Sequence, residues 1–143
     1  MDIRRINDRI SVSPQIDPAD VTELARLGFR AIVNNRPDGE EVGQPEGDAI
    51  RAVAETLGLT YTAIPVTQAG FSHPQIDAMT TAIEQADGPV LAYCRSGTRS
   101  CNLWALAEAK AGGAPNEIID AGAGAGYDLN GLKPMLDALS GKP

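Results

Sequence analysis

Apolar and polar positions repeat along this chain with two periods, and the switches between them mark its elements. Arg9 to Val12 predicts a short strand. Asp17 and Pro18 suit the N-cap and first position of a helix. Val21, Leu24, Ala25 and Leu27 give that helix an apolar face, and Gly28 closes it. Phe29 to Val33 is a continuous apolar run, the mark of a buried strand. Asn34 to Gly39 is a loop by its turn chemistry, Pro45 to Leu57 a helix closed by Gly58, and Leu59 to Val66 the next strand. After a loop at Thr67 to Phe71, Ser72 and Gln75 form a capping box for a helix with Ile76, Met79, Thr80 and Ile83 on one face. Pro89 to Tyr93 is a short apolar strand that runs directly into Cys94. The following helix, about Ser100 to Ala111, is apolar around most of its circumference and is expected to be central and buried. Pro115 to Ala125 and Gly131 to Leu139 predict two further helices, the first with glycines at 122 and 124 whose effect on packing the sequence leaves open.

Strands alternating with helices imply an α/β fold with a mostly parallel central sheet flanked by helices. A length of 143 residues suits a single domain over residues 1–143. The apolar fraction of 43% is ordinary, but aromatics are only 4%, so the core must rest on Val, Ile, Leu and Ala. The net charge of −7 argues against nucleic acid or an anionic membrane as partner, since both require a basic patch. No apolar run approaches the ~20 residues that span a bilayer. Met1 to Arg5 is not followed by an apolar stretch of signal-peptide length, so the expected location is cytoplasmic. Two cysteines and one histidine do not supply a structural zinc site, and neither a metal nor a cofactor is expected.

The candidate chemistry lies at Cys94-Arg95-Ser96-Gly97-Thr98-Arg99-Ser100, between a buried strand and a buried helix. Ligands of α/β sheets bind there, beyond the carboxyl end of a strand. If residues 95–100 curl, their amides and the helix N-terminus together form an anion site. Gly97 supplies the backbone freedom for the curl, and Arg99 brings a planar fork for two anion oxygens. The same donors favour the thiolate of Cys94, the nucleophilic form. Ser100 could donate a hydroxyl to that thiolate and help it leave in a second step. Arg95, Ser96 and Thr98 complete the loop, with Arg95 expected to face outward and steer substrate.

The string Tyr93 to Ser100 resembles the active loop of single-domain rhodaneses, which are sulfurtransferases. Ser13-Pro14-Gln15, Gly28 to Asn34, Arg36 to Glu40, Ile64-Pro65-Val66 and Gly126 to Leu129 together resemble the phosphatase-like family of β-lactamase-hydrolase-like proteins. That resemblance implies a fold like that of dual-specificity cysteine phosphatases. It also implies a metallo-β-lactamase-type enzyme as partner, because some members are fused to one. Cysteine phosphatases place five residues between Cys and Arg, whereas four intervene here, and they carry an acidic residue in the loop that here reads Thr67-Gln68-Ala69-Gly70. A shorter loop without an acid favours sulfur transfer through a Cys94 persulfide, because sulfite or a thiolate leaves without a proton. The expected substrate is then a small anion carrying sulfane sulfur. The alternative is a phosphatase acting on a phosphorylated substrate through a phosphocysteine. An anion- or partner-binding pseudoenzyme is a third possibility, against which the intact Cys, Arg and Ser argue.

Asp38 is a candidate acid as well as a turn residue before Gly39. Arg36 could be a second anion contact or could pair with Asp38, Glu40 or Glu41. His73, the only histidine, is either an acid flanking the site or a surface residue of a first helical turn. Cys101 could be a resolving thiol, but a core role fits its helical position better, and Trp104 is expected in the core or as a wall beneath the loop.

Overall fold

Among the described residues, five strands and six helices are laid down in the order β1 (Arg4–Arg5), β2 (Ile10–Ser13), α1 (Pro18–Arg26), β3 (Ala31–Asn34), α2 (Gly47–Thr56), β4 (Thr60–Ala63), α3 (His73–Gln85), β5 (Val90–Tyr93), α4 (Thr98–Lys110), α5 (Pro115–Gly124) and α6 (Lys133–Ser140). The computed structural model describes residues 1–141. The sheet order is β1-β2-β5-β3-β4. All neighbours run parallel except β1, which pairs antiparallel with β2. The chain is thus a single-domain α/β protein with a mostly parallel sheet.

Strand alternation builds the two layers. Val33, Val90 and Ala92 point to one face, where they meet Met79 of α3, Leu103 and Leu106 of α4, Ile118 of α5 and Leu136 of α6. Ile32, Leu91 and Tyr93 point to the other, against Val21 and Leu24 of α1 and Ile50 and Ala54 of α2. Burial on both faces is why β3 and β5 read as apolar runs and not as alternating ones. Helix α4 lies against this sheet with eight of its residues buried, including Leu103, Trp104 and Leu106, as its all-round apolar sequence requires.

The differences from expectation lie at element ends. Strand β1 has no apolar signal, because an exposed edge strand held by backbone pairing needs none. Strand β4 stops at Ala63, short of Val66, because Pro65 has no N–H for the ladder. Ile64 and Val66 still donate to the carbonyls of Asn34 and Asn35, so the segment stays attached to β3. Helix α2 starts at Gly47 and not Pro45, and α4 starts at Thr98, two residues early, with Gly97 as its N-cap at φ +89°. A 3-10 turn at Asn130–Leu132 precedes α6.

The glycines of α5 divide by environment. A Cβ on Gly122 would overlap Leu129 and lie 3.7 Å from the Cys101 sulfur, whereas one on Gly124 would meet nothing within 4 Å. Gly122→Ala is therefore expected to destabilise by about 1–3 kcal/mol through overpacking. Gly124→Ala is expected to be neutral or to stabilise by up to about 1 kcal/mol through helix propensity. Urea unfolding of the two variants beside the parent measures both.

Candidate active site

The carboxyl end of β5, the central strand, delivers Cys94 to the middle of the sheet's upper edge. The residue is fully buried, yet its Sγ is not packed in either apolar cluster. It accepts the Gly97 N–H at 3.1 Å. Residues 94–97 thus curl back over the sulfur before α4 begins, and the N-terminal dipole of α4 adds to the field there. A side chain at Gly97 would overlap the Tyr127 hydroxyl, so a positive φ and a close neighbour both require glycine. The rest of the loop is tied locally. Ser96 Oγ lies 3.0 Å from Thr98 Oγ1 and accepts the Thr98 N–H at 3.4 Å, and Gln15 donates its N–H to the Arg95 carbonyl at 3.3 Å.

Arg99 is clamped. Its Nη1 and Nη2 donate to the two carboxylate oxygens of Glu40 at 2.7 and 2.9 Å, and Nη1 also donates to the Val66 carbonyl at 2.8 Å. The clamp occupies the two terminal nitrogens and leaves Nε outside it. The arginine is held above its usual range first by Glu40 and also by the neighbouring Cys94 sulfur. Glu40 also accepts from Arg36 Nε at 2.9 Å. These two cations, Arg99 foremost, pull the Glu40 carboxyl down to about 2. Arg36 is 3% exposed and is fully engaged, with Gln15 on Nη1 and Glu41 on Nη2, both at 3.1 Å. Glu41 reaches on to Arg95 at 3.5 Å. Two acidic side chains therefore organise three arginines around the loop. Beside them opens a cleft of about 510 Å³ lined by Glu40, Thr67, Gln68, Arg95 and Arg99.

Several expected residues are placed elsewhere. Ser100 donates to Asn35 Oδ1 at 2.8 Å and not to Cys94. Asn35 in turn donates its backbone N–H to the Tyr93 carbonyl at 2.8 Å and its Nδ2 to the Ile64 carbonyl at 2.9 Å, so Ser100 ties α4 to the ends of three strands. Of the alternatives for Arg36, the pairs with Glu40 and Glu41 form. Asp38 accepts the Gly47 N–H at 2.9 Å and lines a smaller cleft of about 130 Å³ with Arg51 and Tyr61. His73 lies 2.9 Å from Lys110 Nζ at the exposed start of α3. Neither lines the cleft beside Arg99. Cys101 is buried, and burial, with Cys94 nearby, pushes its thiol up to about 12. Sequence reasoning missed the roles of Asn35, Glu40 and Tyr127. Only the Arg36–Glu40 spacing of four residues hinted at any of them.

A strand, a cysteine loop curled over its own sulfur, and a helix that carries the clamped arginine in its first turn are set in a fold of the phosphatase-like class. The chain matches Tk-PTP in its active form with a TM-score of 0.76 at 18% identity, covering 99% of this chain and 98% of that one. Within this class the chain belongs to the β-lactamase hydrolase-like protein, phosphatase-like domain family, whose pattern matches residues 2–111. A "putative phosphatase" from Neisseria meningitidis is 36% identical with a TM-score of 0.84, covering 97% of this chain and 99% of that one. A β-lactamase hydrolase-like protein of Xylella fastidiosa (strain Temecula1) is 40% identical over 130 residues, 90% of this chain and 30% of that protein. One from Agrobacterium fabrum is 39% identical over 137 residues, 95% of this chain and 32% of that protein. The chain spans about a third of the length of these curated relatives. No helix among the described residues is long and apolar enough to cross a membrane.

Two outcomes test the geometry. Glu40 has a depressed folded value, so its stabilising contribution is complete above its ordinary value and is lost as pH falls through the folded one. Glu40→Gln should therefore cost roughly 1–2 kcal/mol at pH 7, since the pair is partly exposed. The difference should shrink as pH falls from about 4.5 toward about 2, as read by urea unfolding at several pH values. Second, iodoacetate at pH 7 should label Cys94 and spare Cys101, whose thiol stays protonated in the core. Peptide mass spectrometry distinguishes the two.

Proposed function

We propose that this chain is a cysteine-dependent phosphohydrolase that cleaves phosphate monoesters through a phosphocysteine on Cys94. One observation carries the reading: the Cys94 sulfur sits under the Gly97 N–H, beside an arginine whose outer edge is fixed by Glu40. In the first step the thiolate attacks phosphorus, an S–P bond forms, and the ester P–O bond breaks with its electron pair going to the leaving oxygen. In the second step water attacks phosphorus, inorganic phosphate is released and the thiolate is regenerated. Loop amides and the free edge of Arg99 stabilise the charge on the equatorial oxygens during both steps. The family and the phosphatase descriptions of structures sharing the fold support hydrolysis over the sulfur transfer that loop length alone suggested.

Protonation of the leaving oxygen sets the substrate range. The carboxylate lining the cleft is Glu40, and at about 2 it is ionised at neutral pH and holds no proton to give. Asp38 and His73 are engaged elsewhere. The leaving group therefore departs as an anion or takes its proton from water, which favours aryl over alkyl phosphates. TpbA of P. aeruginosa, which shares the fold with a TM-score of 0.66 at 16% identity, has been crystallised with pTyr, an aryl phosphate.

The same absence of a protonated acid in the cleft keeps sulfur transfer as a second reading, with Cys94 taking a sulfur atom from a donor whose thiolate or sulfite leaves unaided. The two are separated by assaying p-nitrophenyl phosphate hydrolysis beside thiosulfate-to-cyanide sulfur transfer. Hydrolysis is expected, with loss to background in Cys94→Ser and a fall of about 10²–10³ in kcat for Arg99→Lys. Hydrolysis surviving in Cys94→Ser, or sulfur transfer without hydrolysis, overturns the reading.

A further inference from the structure

We propose that Tyr127 is a positioning residue for the anion-binding loop, its hydroxyl holding the Ser96–Gly97 peptide in the orientation that aims the Gly97 N–H at the Cys94 sulfur. The inference rests on Cys94 being the nucleophile. Tyr127 lies beyond α5, 33 residues from Cys94 in sequence, and has no part in the chemistry itself.

Two hydrogen bonds on one peptide unit carry the argument. The Tyr127 hydroxyl donates to the Ser96 carbonyl at 3.0 Å, and the N–H of the same peptide, on Gly97, donates to Cys94 Sγ at 3.1 Å. A trans peptide is planar, with its C=O and N–H pointing in opposite directions. Pinning the oxygen outward therefore points the hydrogen inward. Rotation of this peptide by half a turn would set a carbonyl oxygen against the thiolate and remove its donor. Glycine at φ +89° imposes little resistance to such a rotation, so the restraint has to come from outside the loop.

Tyr127 is built to supply it. The residue is 8% exposed, and its own N–H is fixed to the Gly122 carbonyl at 2.9 Å at the end of α5. The Arg4 guanidinium of β1 lies over its ring, 5.2 Å from the centroid. Any side chain at position 97 would collide with its hydroxyl, so Gly97 and Tyr127 fit each other. Burial pushes the phenol above its usual range, the Cys94 and Cys101 sulfurs push the same way, and Arg4 opposes them. The hydroxyl thus keeps its proton, and remains a donor, across the range in which thiols titrate.

The test reads Cys94 directly in the full chain. Iodoacetate modification of Cys94 is followed by peptide mass spectrometry from pH 5 to 10, with thermal unfolding alongside. Tyr127→Phe keeps the ring and removes the donor. Its rate at pH 6 is expected to fall about three- to tenfold while the alkaline plateau stays at the parent's level, as for the loss of one hydrogen bond to the loop. Site-specific 3-fluorotyrosine at 127 makes the hydroxyl a stronger donor and is expected to raise the rate at pH 6. A Tyr127→Phe profile superimposable on the parent's overturns the proposal, and so does an equal fall at every pH, which would mean loosened packing alone. If Tyr127→Phe fails to fold, the fluorotyrosine protein decides: no rise at pH 6 overturns it. No substrate is turned over in these measurements, so failure of the phosphohydrolase reading and failure of this one are separable.

Discussion

The end-on grip of Glu40 on Arg99 is the interaction around which the site is arranged. Arginine in a chain of net charge −7 has many carboxylates to choose from, and a free Arg99 side chain would be mobile and poorly aimed. A two-point clamp, with the Val66 carbonyl as a third contact, fixes the plane of the guanidinium and so the direction of its remaining edge. Glu40 holds this position because a second cation, buried Arg36, shares one of its oxygens. This carboxylate is thereby committed to charge and geometry and holds no proton to donate at neutral pH. Local cations prevail here over an acidic surface because they act at hydrogen-bond distance, where the diffuse negative field of the rest of the chain is screened.

The sheet determines why these groups can meet. Strand β5 lies between β2 and β3, so the carboxyl ends of three parallel strands present Ser13, Asn34 and Tyr93 at one edge. The loops that follow converge: Gln15 after β2, Asn35 to Glu41 after β3, and the Cys94 loop after β5. Asn35 joins them, accepting from Ser100 and donating toward the Tyr93 and Ile64 carbonyls. A fully buried asparagine with its side-chain oxygen and nitrogen both paired is a rigid joint, not a solvation cost. Ser100, which by position suggested a proton donor to the nucleophile, instead fastens α4 to that joint.

Much of the architecture was legible in the residues. Short apolar runs and the period-3.6 pattern located β2 to β5 and the six helices of the described residues, because buried faces select apolar side chains. The position of the Cys94 loop between a buried strand and a buried helix was legible too, since the apolar runs on either side of it mark both elements. Helix starts were displaced by up to two residues at Gly47 and Thr98, where loop geometry and not side-chain pattern decides the first turn. Strand β1 was invisible, being made by backbone pairing at an edge.

The sequence alone determined the order of elements from β2 to α6, the two-sided core and the place of the cysteine loop, because each is written in neighbours a few positions apart. Tertiary structure alone decided the partners. Glu40 and Arg99 lie 59 positions apart, and Ser100 and Asn35 lie 65 apart. Nothing local distinguishes Glu40 from Glu41, or sends Asp38 to the α2 N-terminus and Tyr127 to the Ser96 carbonyl. Those choices follow from which loops the parallel sheet brings to one edge, and from hydrogen bonds that become favourable only after packing has removed the water that would otherwise compete for them.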